Sequence, residues 1–244
     1  MERDTVDDIE AWDNAASIYA AMIGGANDSF WRRFEPFLRQ WLPDSGGSVL
    51  DLGCGHGWLA ADLASKGFEV EGVDGSQELV ERARRDFPDL RLGVRDLVEG
   101  LGTDWVGPYD VVVSHMVLMD LPRIDRVLAD VTERLALGGT FVATMLHPAF
   151  FNQAPIYEGD RHRRVTGYLR EEEWWIESFG GHRHYHRPFA WYVRALRAAG
   201  MALVDLDEPR TLPVVPKPEY EWSADEEWFS TIPTMLSFAA KRCG

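Results

Sequence analysis

Val49-Leu-Asp-Leu-Gly-Cys-Gly-His-Gly57 runs a short apolar segment of strand length into three alternate glycines, and a helical pattern begins at the next residue, Trp58. Glycines at such a turn answer two needs: the backbone takes positive φ there, and a ligand comes closer to the chain than a β-carbon permits. Where a dinucleotide binds, the third glycine falls one residue later and the pyrophosphate sits over the helix N-terminus. Trp58 occupies that later position. The tighter turn suits a nucleoside joined to an amino acid, which has no phosphate, and argues against a nicotinamide oxidoreductase.

On both sides of this turn, apolar runs of strand length alternate with helical patterns, the signature of a sheet wound with helices. The strands are expected at Ser48–Leu52, Glu69–Asp74, Leu90–Val94, Tyr109–Ser114, Thr140–Leu146, Ala202–Leu206 and Thr234–Ala240. Helices are expected at Trp58–Lys66, closing on Gly67; at Gln77–Asp86, after a Ser76 cap; at Ile124–Leu135, stopped by Gly138-Gly139; and at Pro188–Ala199, stopped by Gly200. Glycine supplies the left-handed residue that ends a helix. Residues 1–47 carry a helical, aromatic-rich pattern that should cover one end of the sheet.

The chain has 244 residues, enough for one large α/β unit with a modest lid. With 45% hydrophobic and 27% charged residues it has ordinary globular composition. The formal charge of -15 disfavours nucleic acid, because a phosphate backbone is held mainly by lysine and arginine clusters. Two cysteines, Cys54 and Cys243, far apart in sequence, indicate no disulfide framework. No apolar stretch reaches the roughly 18 residues of a membrane span, and the acidic start has no apolar leader core. A cytoplasmic protein with no membrane partner is expected.

Acidic residues recur where the expected strands end. Asp51 ends the first, Asp74 the second, and Asp96-Leu97 follows the third. A strand-end carboxylate can accept hydrogen bonds from both hydroxyls of a ribose, and one at the next strand can meet an exocyclic amine. Taken together, Val49–Gly57, Asp74, Asp96-Leu97 and the segment Tyr109-Asp-Val-Val-Val-Ser-His-Met-Val-Leu-Met-Asp-Leu-Pro122 resemble the successive motifs of class I S-adenosylmethionine-dependent methyltransferases. The similarity covers roughly residues 12–147 and continues more loosely through His186-Arg-Pro-Phe189 and Ile232–Ala240, which resemble the small-molecule branch.

The resemblance implies a Rossmann-like three-layer α/β sandwich with a seven-stranded sheet in the order 3-2-1-4-5-7-6, the last strand antiparallel. Within a single unit over 1–244 it implies a helical cover at 1–47, a cofactor-binding core at 48–146, a lid or substrate insert at 147–188, and the end of the sheet at 189–244. The implied cofactor is S-adenosyl-L-methionine. Gly53 and Gly55, with Cys54 between them and Asp51 below, would meet its methionine portion; Asp74, Gly75 and Ser76 its ribose; Asp96 and Leu97 its adenine. Ser114, His115 and Met116 would form the floor near the sulfonium, and Tyr19 would reach the cofactor carboxylate. A small-molecule methyl acceptor, no nucleic acid and no metal, and a monomer or homodimer complete the expectation. A methyltransferase acting on protein or nucleic acid, and a non-catalytic binding module, are the alternatives.

Residues 147–187 lack a clean period and hold five of the seven histidines. A high-pKa acceptor such as a phenol needs a base in reach, and histidine's ordinary pKa suits that task. His147, directly after the fifth strand, His115 and His186 are the catalytic candidates. The alternation His182-Arg-His184-Tyr-His186 puts three imidazoles on one face of a strand, an arrangement a metal could also use, though no acidic or thiol residue stands nearby in sequence. Trp174, Trp175, Phe179, Tyr185, Trp191 and Tyr192 suggest a pocket that stacks on a flat acceptor or holds an amine. Glu171-Glu-Glu173 reads as a solvated helix start.

Overall fold

Strand β1 (Ser48–Leu52) lies near the middle of a sheet whose residues point alternately to two separate apolar cores. The computed structural model describes residues 7–25, 27–151 and 164–243. Leu50 and Leu52 of β1 face one core, and Val49 faces the other. The same parity holds along β4 (Tyr109–His115), where Val112 opposes Val111 and Val113, and along β5 (Leu135–Leu146), where Phe141 and Ala143 oppose Val142. Strands buried on both faces are what continuous runs such as Val111-Val-Val113 require, and helices must then cover both sides.

One face is covered by α2 (Ser29–Arg39), α3 (Trp58–Ser65) and α4 (Gln77–Asp86), through Phe34, Leu63 and Val80. The other is covered by α5 (Asp125–Arg134) and α6 (Phe189–Ala198), through Val127, Val131 and Tyr192. Each such large apolar side chain, fully buried, is worth about 1.5–3 kcal/mol before entropy is charged against it. The caps are chemical. Asp28 accepts from the Phe30 and Trp31 amides at the start of α2, and Ser76 accepts from the Leu79 amide at the start of α4.

With β2 (Glu69–Asp74), β3 (Arg91–Val94), β6 (Glu172–Ile176), β7 (His182–His186), β8 (Met201–Asp207) and β9 (Met235–Arg242), the large sheet has the order β3-β2-β1-β4-β5-β9-β8. Counting only its own strands, this is 3-2-1-4-5-7-6, as the motifs imply. β9 runs antiparallel to both neighbours, while β1 to β5 are parallel. The strand order reverses between β1 and β4, so a crevice opens at the carboxyl ends of these strands, where open α/β sheets hold ligands. α1 (Asp8–Met22) crosses this edge, contacting α4 and β7.

Two expectations need correction. α5 ends at Arg134, not at the glycine pair, and the chain passes directly into β5 at Leu135, which pairs with Tyr109. The Arg134 side chain ties this junction by donating to the Trp105 and Gly102 carbonyls at 2.5 Å each, and Gly138 bends the strand instead. Glu172 and Glu173 begin β6, not a helix: Trp174-Trp-Ile176 is β-forming, and an antiparallel partner, β7, supplies the ladder. Among the described residues no helix is long and apolar enough to cross a membrane.

Candidate functional site

The glycine turn after β1 is latched to β2. The Gly53 and Cys54 amides both donate to the Val73 carbonyl, at 2.8 and 3.0 Å, and Gly53 has φ of 79°. A β-carbon at Gly53 would lie 2.3 Å from Val117, so only glycine lets the loop after β4 close over the turn. At the end of β2, the Asp74 carboxylate stitches two loops together. It accepts from the Gly55 amide and from the Ser76 amide, each at 2.8 Å. Burial pushes its pKa up, and the backbone donors pull it back. Each oxygen keeps lone-pair capacity for a further donor.

These residues line a cavity of about 330 Å³, within the range of small-molecule sites of about 300–1,000 Å³. Tyr19, Gly53, Gly55, Asp74, Gly75, Ser76, Asp96 and Leu97 all line it. Asp96 also caps the short turn that follows β3, accepting from the Val98 amide at 2.9 Å. His115, at the end of β4, and Met116, just beyond it, also line the cavity. Met116 is held at φ of 61°, costly for a residue with a side chain, and its amide donates to the Thr144 carbonyl at 2.9 Å.

Among the described lining residues, the walls carry Asp7, Asp8, Asp74, Asp96, Glu99 and Asp120 against Arg123 alone. Such a lining repels a pyrophosphate and accepts a ligand with a sulfonium, an ammonium and sugar hydroxyls, so the residues present fit S-adenosylmethionine. Three residues expected at the cofactor lie beneath the lining. Cys54 is buried against Gly72 in the core, Ser114 is fully buried, and Asp51 is covered under the turn with one carboxylate oxygen unpartnered. Burial, reinforced by the charge of Asp74, pushes Asp51 up to about 8.

A second chamber of about 280 Å³ adjoins the first and shares Trp12, Tyr19, His115, Met116 and Asp120 with it. Its remaining walls are mainly apolar or aromatic, including Phe30, Phe151, Ile176 and Phe179, with His182. His115 stacks on Phe34, ring centroids 5.0 Å apart and 3° from parallel, and burial lowers it to about 4. His182 packs 4.5 Å from Trp12 and is lowered by burial to about 4. His184 stacks on Trp174 and points Nδ1 to within 3.9 Å of Asp120 Oδ1; burial first, and its neighbours His186 and His182 next, lower it to about 3.

Two of the three candidate bases are not at either cavity among the described lining residues. His147 follows β5, but its Nδ1 accepts from the Ala149 amide at 3.1 Å, which leaves the proton on Nε2 to bond Glu208 at 2.8 Å. The immediate turn at Pro148 recruits the ring as a backbone cap. His186 stacks on Trp174 at 4.6 Å and donates to the Tyr168 carbonyl at 3.1 Å, so it pins the hairpin. The residue that sequence reasoning missed is Asp120, 8% exposed, with Oδ1 unpartnered and its carboxyl pushed well above the usual range by burial. An acid inside the apolar run Met116–Leu121 was the available signal. Asp120 also supplies a carboxylate near the histidine strip, where none was expected, yet no group of three or more metal-ligating side chains occurs among the described residues.

Neutral buried imidazoles make stability pH-dependent. His184 titrates at about 6.5 in the unfolded chain and at about 3 when folded, so below pH 6.5 the unfolded state binds the extra proton. Its contribution is complete above pH 6.5 and is lost as pH falls, by up to about 1.4 kcal/mol per pH unit. Urea denaturation between pH 7.5 and 4.5 should therefore show His184→Gln gaining on the parent protein as pH drops. A constant difference would place a charged or solvated imidazole at this position.

A methyltransferase-domain family model matches residues 26–206. The ubiquinone biosynthesis O-methyltransferase of Caulobacter sp. strain K31 is 31% identical over 118 residues, covering 47% of each protein. The protein-L-isoaspartate O-methyltransferase of Xanthomonas euvesicatoria is 35% identical over 103 residues, covering 41% of this chain and 43% of that one. The chain thus spans about half the length of the curated relatives it matches. A solved S-adenosylmethionine-dependent methyltransferase from Mesorhizobium loti superposes with a TM-score of 0.70 at 26% identity, over 86% of this chain and 98% of that one. The family match, the shared fold and a cavity suited to the cofactor agree: this chain belongs to the class I S-adenosylmethionine-dependent methyltransferases.

Proposed function

We propose that this protein transfers the methyl group of S-adenosylmethionine to an oxygen or nitrogen of a small metabolite of aromatic or amine character. The observation that carries the reading is the common wall of the two cavities, formed by Trp12, Tyr19, His115, Met116 and Asp120. Bound cofactor supplies an electrophilic methyl carbon, open to in-line displacement from sulfur. The chain's own residues must then align the acceptor and exclude water, and proximity of this kind supplies several kcal/mol. In this reading Gly53 and Gly55 admit the methionine portion, Asp74 accepts from the ribose hydroxyls, and Asp96 with Leu97 receives the adenine.

Tyr19 keeps its phenolic proton, because burial first and the Asp74 charge second raise its pKa. His115 stays neutral at pH 7, with one ring N–H and one acceptor nitrogen, and orients the acceptor. A chamber of about 280 Å³ suits a small molecule better than a protein segment, and the charge of -15 opposes nucleic acid.

Thermal unfolding with ligand tests the cofactor half. S-adenosylhomocysteine or S-adenosylmethionine at about 100 times its Kd should stabilise the fold by about 2.7 kcal/mol, visible as a higher Tm. No shift from either at millimolar concentration would overturn the assignment. Mass spectrometry of a metabolite extract incubated with isotope-labelled cofactor then identifies the acceptor.

A further inference from the structure

We infer that the methyl acceptor is an amine, seated in the aromatic chamber with its nitrogen against Asp120, and that the Asp120 carboxylate takes the amine proton. The inference rests on the methyltransferase reading above and deepens it from any oxygen or nitrogen acceptor to one chemical class.

Three observations carry it. First, the chamber contains two carboxyl groups and, among its described lining residues, no lysine or arginine. Asp28 is already satisfied, since it accepts from the Gly24, Phe30 and Trp31 amides as the cap of α2. Asp120 is not: Oδ1 is buried without a hydrogen-bond partner. A buried carboxylate without a partner is expensive, and a cationic or hydrogen-donating ligand is the group that offsets the cost.

Second, the groups packed against Asp120 do not neutralise it. His184 stands 3.9 Å away, beyond hydrogen-bond reach, and its burial keeps the ring uncharged. Asp8 lies close enough to add repulsion, though it is itself held by Arg183 and Tyr185. Third, the aromatic side chains of Trp12, Tyr19, Phe30 and Phe179 line the same chamber as Asp120. Aromatic faces attract an ammonium and give an anionic acceptor nothing in return. A carboxylate or phosphate acceptor would enter a chamber of its own sign.

The step is balanced without a further reagent. An ammonium nitrogen gives one proton to Asp120: the N–H bond breaks, an O–H bond forms, and the lone pair stays on nitrogen. That lone pair forms the new bond to the methyl carbon while the carbon–sulfur bond breaks with its electrons remaining on sulfur. The positive charge ends on the methylated nitrogen, beside the same carboxyl group, which can return to the anion as product leaves.

The test uses binding rather than turnover. Protein saturated with S-adenosylhomocysteine is titrated calorimetrically with 2-phenylethylamine, 2-phenylethanol and 3-phenylpropanoate, three probes of matched shape. The amine should bind most tightly and the carboxylate least. Asp120→Asn, nearly isosteric, should weaken the amine by about 30-fold or more and leave the alcohol within a few-fold, as expected when one partner of a desolvated charge pair is removed. Equal binding of amine and alcohol, preference for the carboxylate, no binding of any probe at millimolar concentration, or an amine affinity untouched by Asp120→Asn each overturns the inference. The wild-type series stands even if the variant folds poorly. Failure of S-adenosylhomocysteine itself to bind would instead sink the methyltransferase reading, so the two failures are separable.

Discussion

Asp74→Lys should abolish S-adenosylhomocysteine binding. The side chain sits where two loops meet, accepting from the Gly55 and Ser76 amides at 2.8 Å each, and it lines the cavity proposed for the cofactor. Lysine offers no acceptor, so both amides lose their partner and a cation takes the place proposed for the ribose contact. Hydrogen bonds to a charged group are worth about 1.5–3 kcal/mol each, so losing the two bonds expected from the sugar predicts a fall in affinity of about 100-fold or more. Asp74→Asn keeps one oxygen acceptor and should fall between. Calorimetric titration reads both; an affinity for Asp74→Lys within tenfold of the parent removes Asp74 from the cofactor site.

Arg187→Met should cost about 3–5 kcal/mol of folding stability, a large share of the roughly 5–15 kcal/mol that holds a domain together. Arg187 is buried between the hairpin and α6, with its guanidinium over the Trp191 ring at 4.5 Å. It donates to the Leu121 and Pro122 carbonyls at 2.8 and 2.7 Å and more weakly to Leu118 at 3.4 Å. These carbonyls belong to the loop that carries Asp120. Methionine fills part of the volume but leaves buried acceptors without donors. Lysine, a single point donor, should recover only part of the loss. Urea denaturation measures it, and a change below about 1 kcal/mol would mean that water replaces the guanidinium.

Much of the first cavity's lining was legible because its signals are local, although Asp51, Cys54 and Ser114 lie beneath it. The turn after β1, the Ser76 cap of α4, and the acids Asp74 and Asp96 are decided by residues within a few positions of one another, and carboxyl ends of parallel strands share one sheet edge. The half proposed for the acceptor was not. His147 and His186 stand in plausible chain positions, yet each ring is consumed by a contact: His147 by Glu208, 61 residues on, and His186 by Tyr168 and Trp174. Asp120 looked like one polar residue in an apolar run until folding put it beside His184 and left it unpaired.

Alternation of period two, glycine spacing and hydrogen-bonding caps act over one turn or one strand, so the amino-acid order alone carried the alternation of strands with helices, the tight glycine turn and the acids Asp74 and Asp96 near it, while the three-layer architecture and strand order came from the resemblance these motifs bear. Whether a given imidazole or carboxyl lines a cavity, caps a backbone or packs against an indole depends on partners brought from distant parts of the chain. Burial then sets its charge, because desolvation acts on the assembled surroundings and not on the neighbours in sequence. That is why Asp120 and His182, and neither His147 nor His186, are among the described residues lining the second chamber.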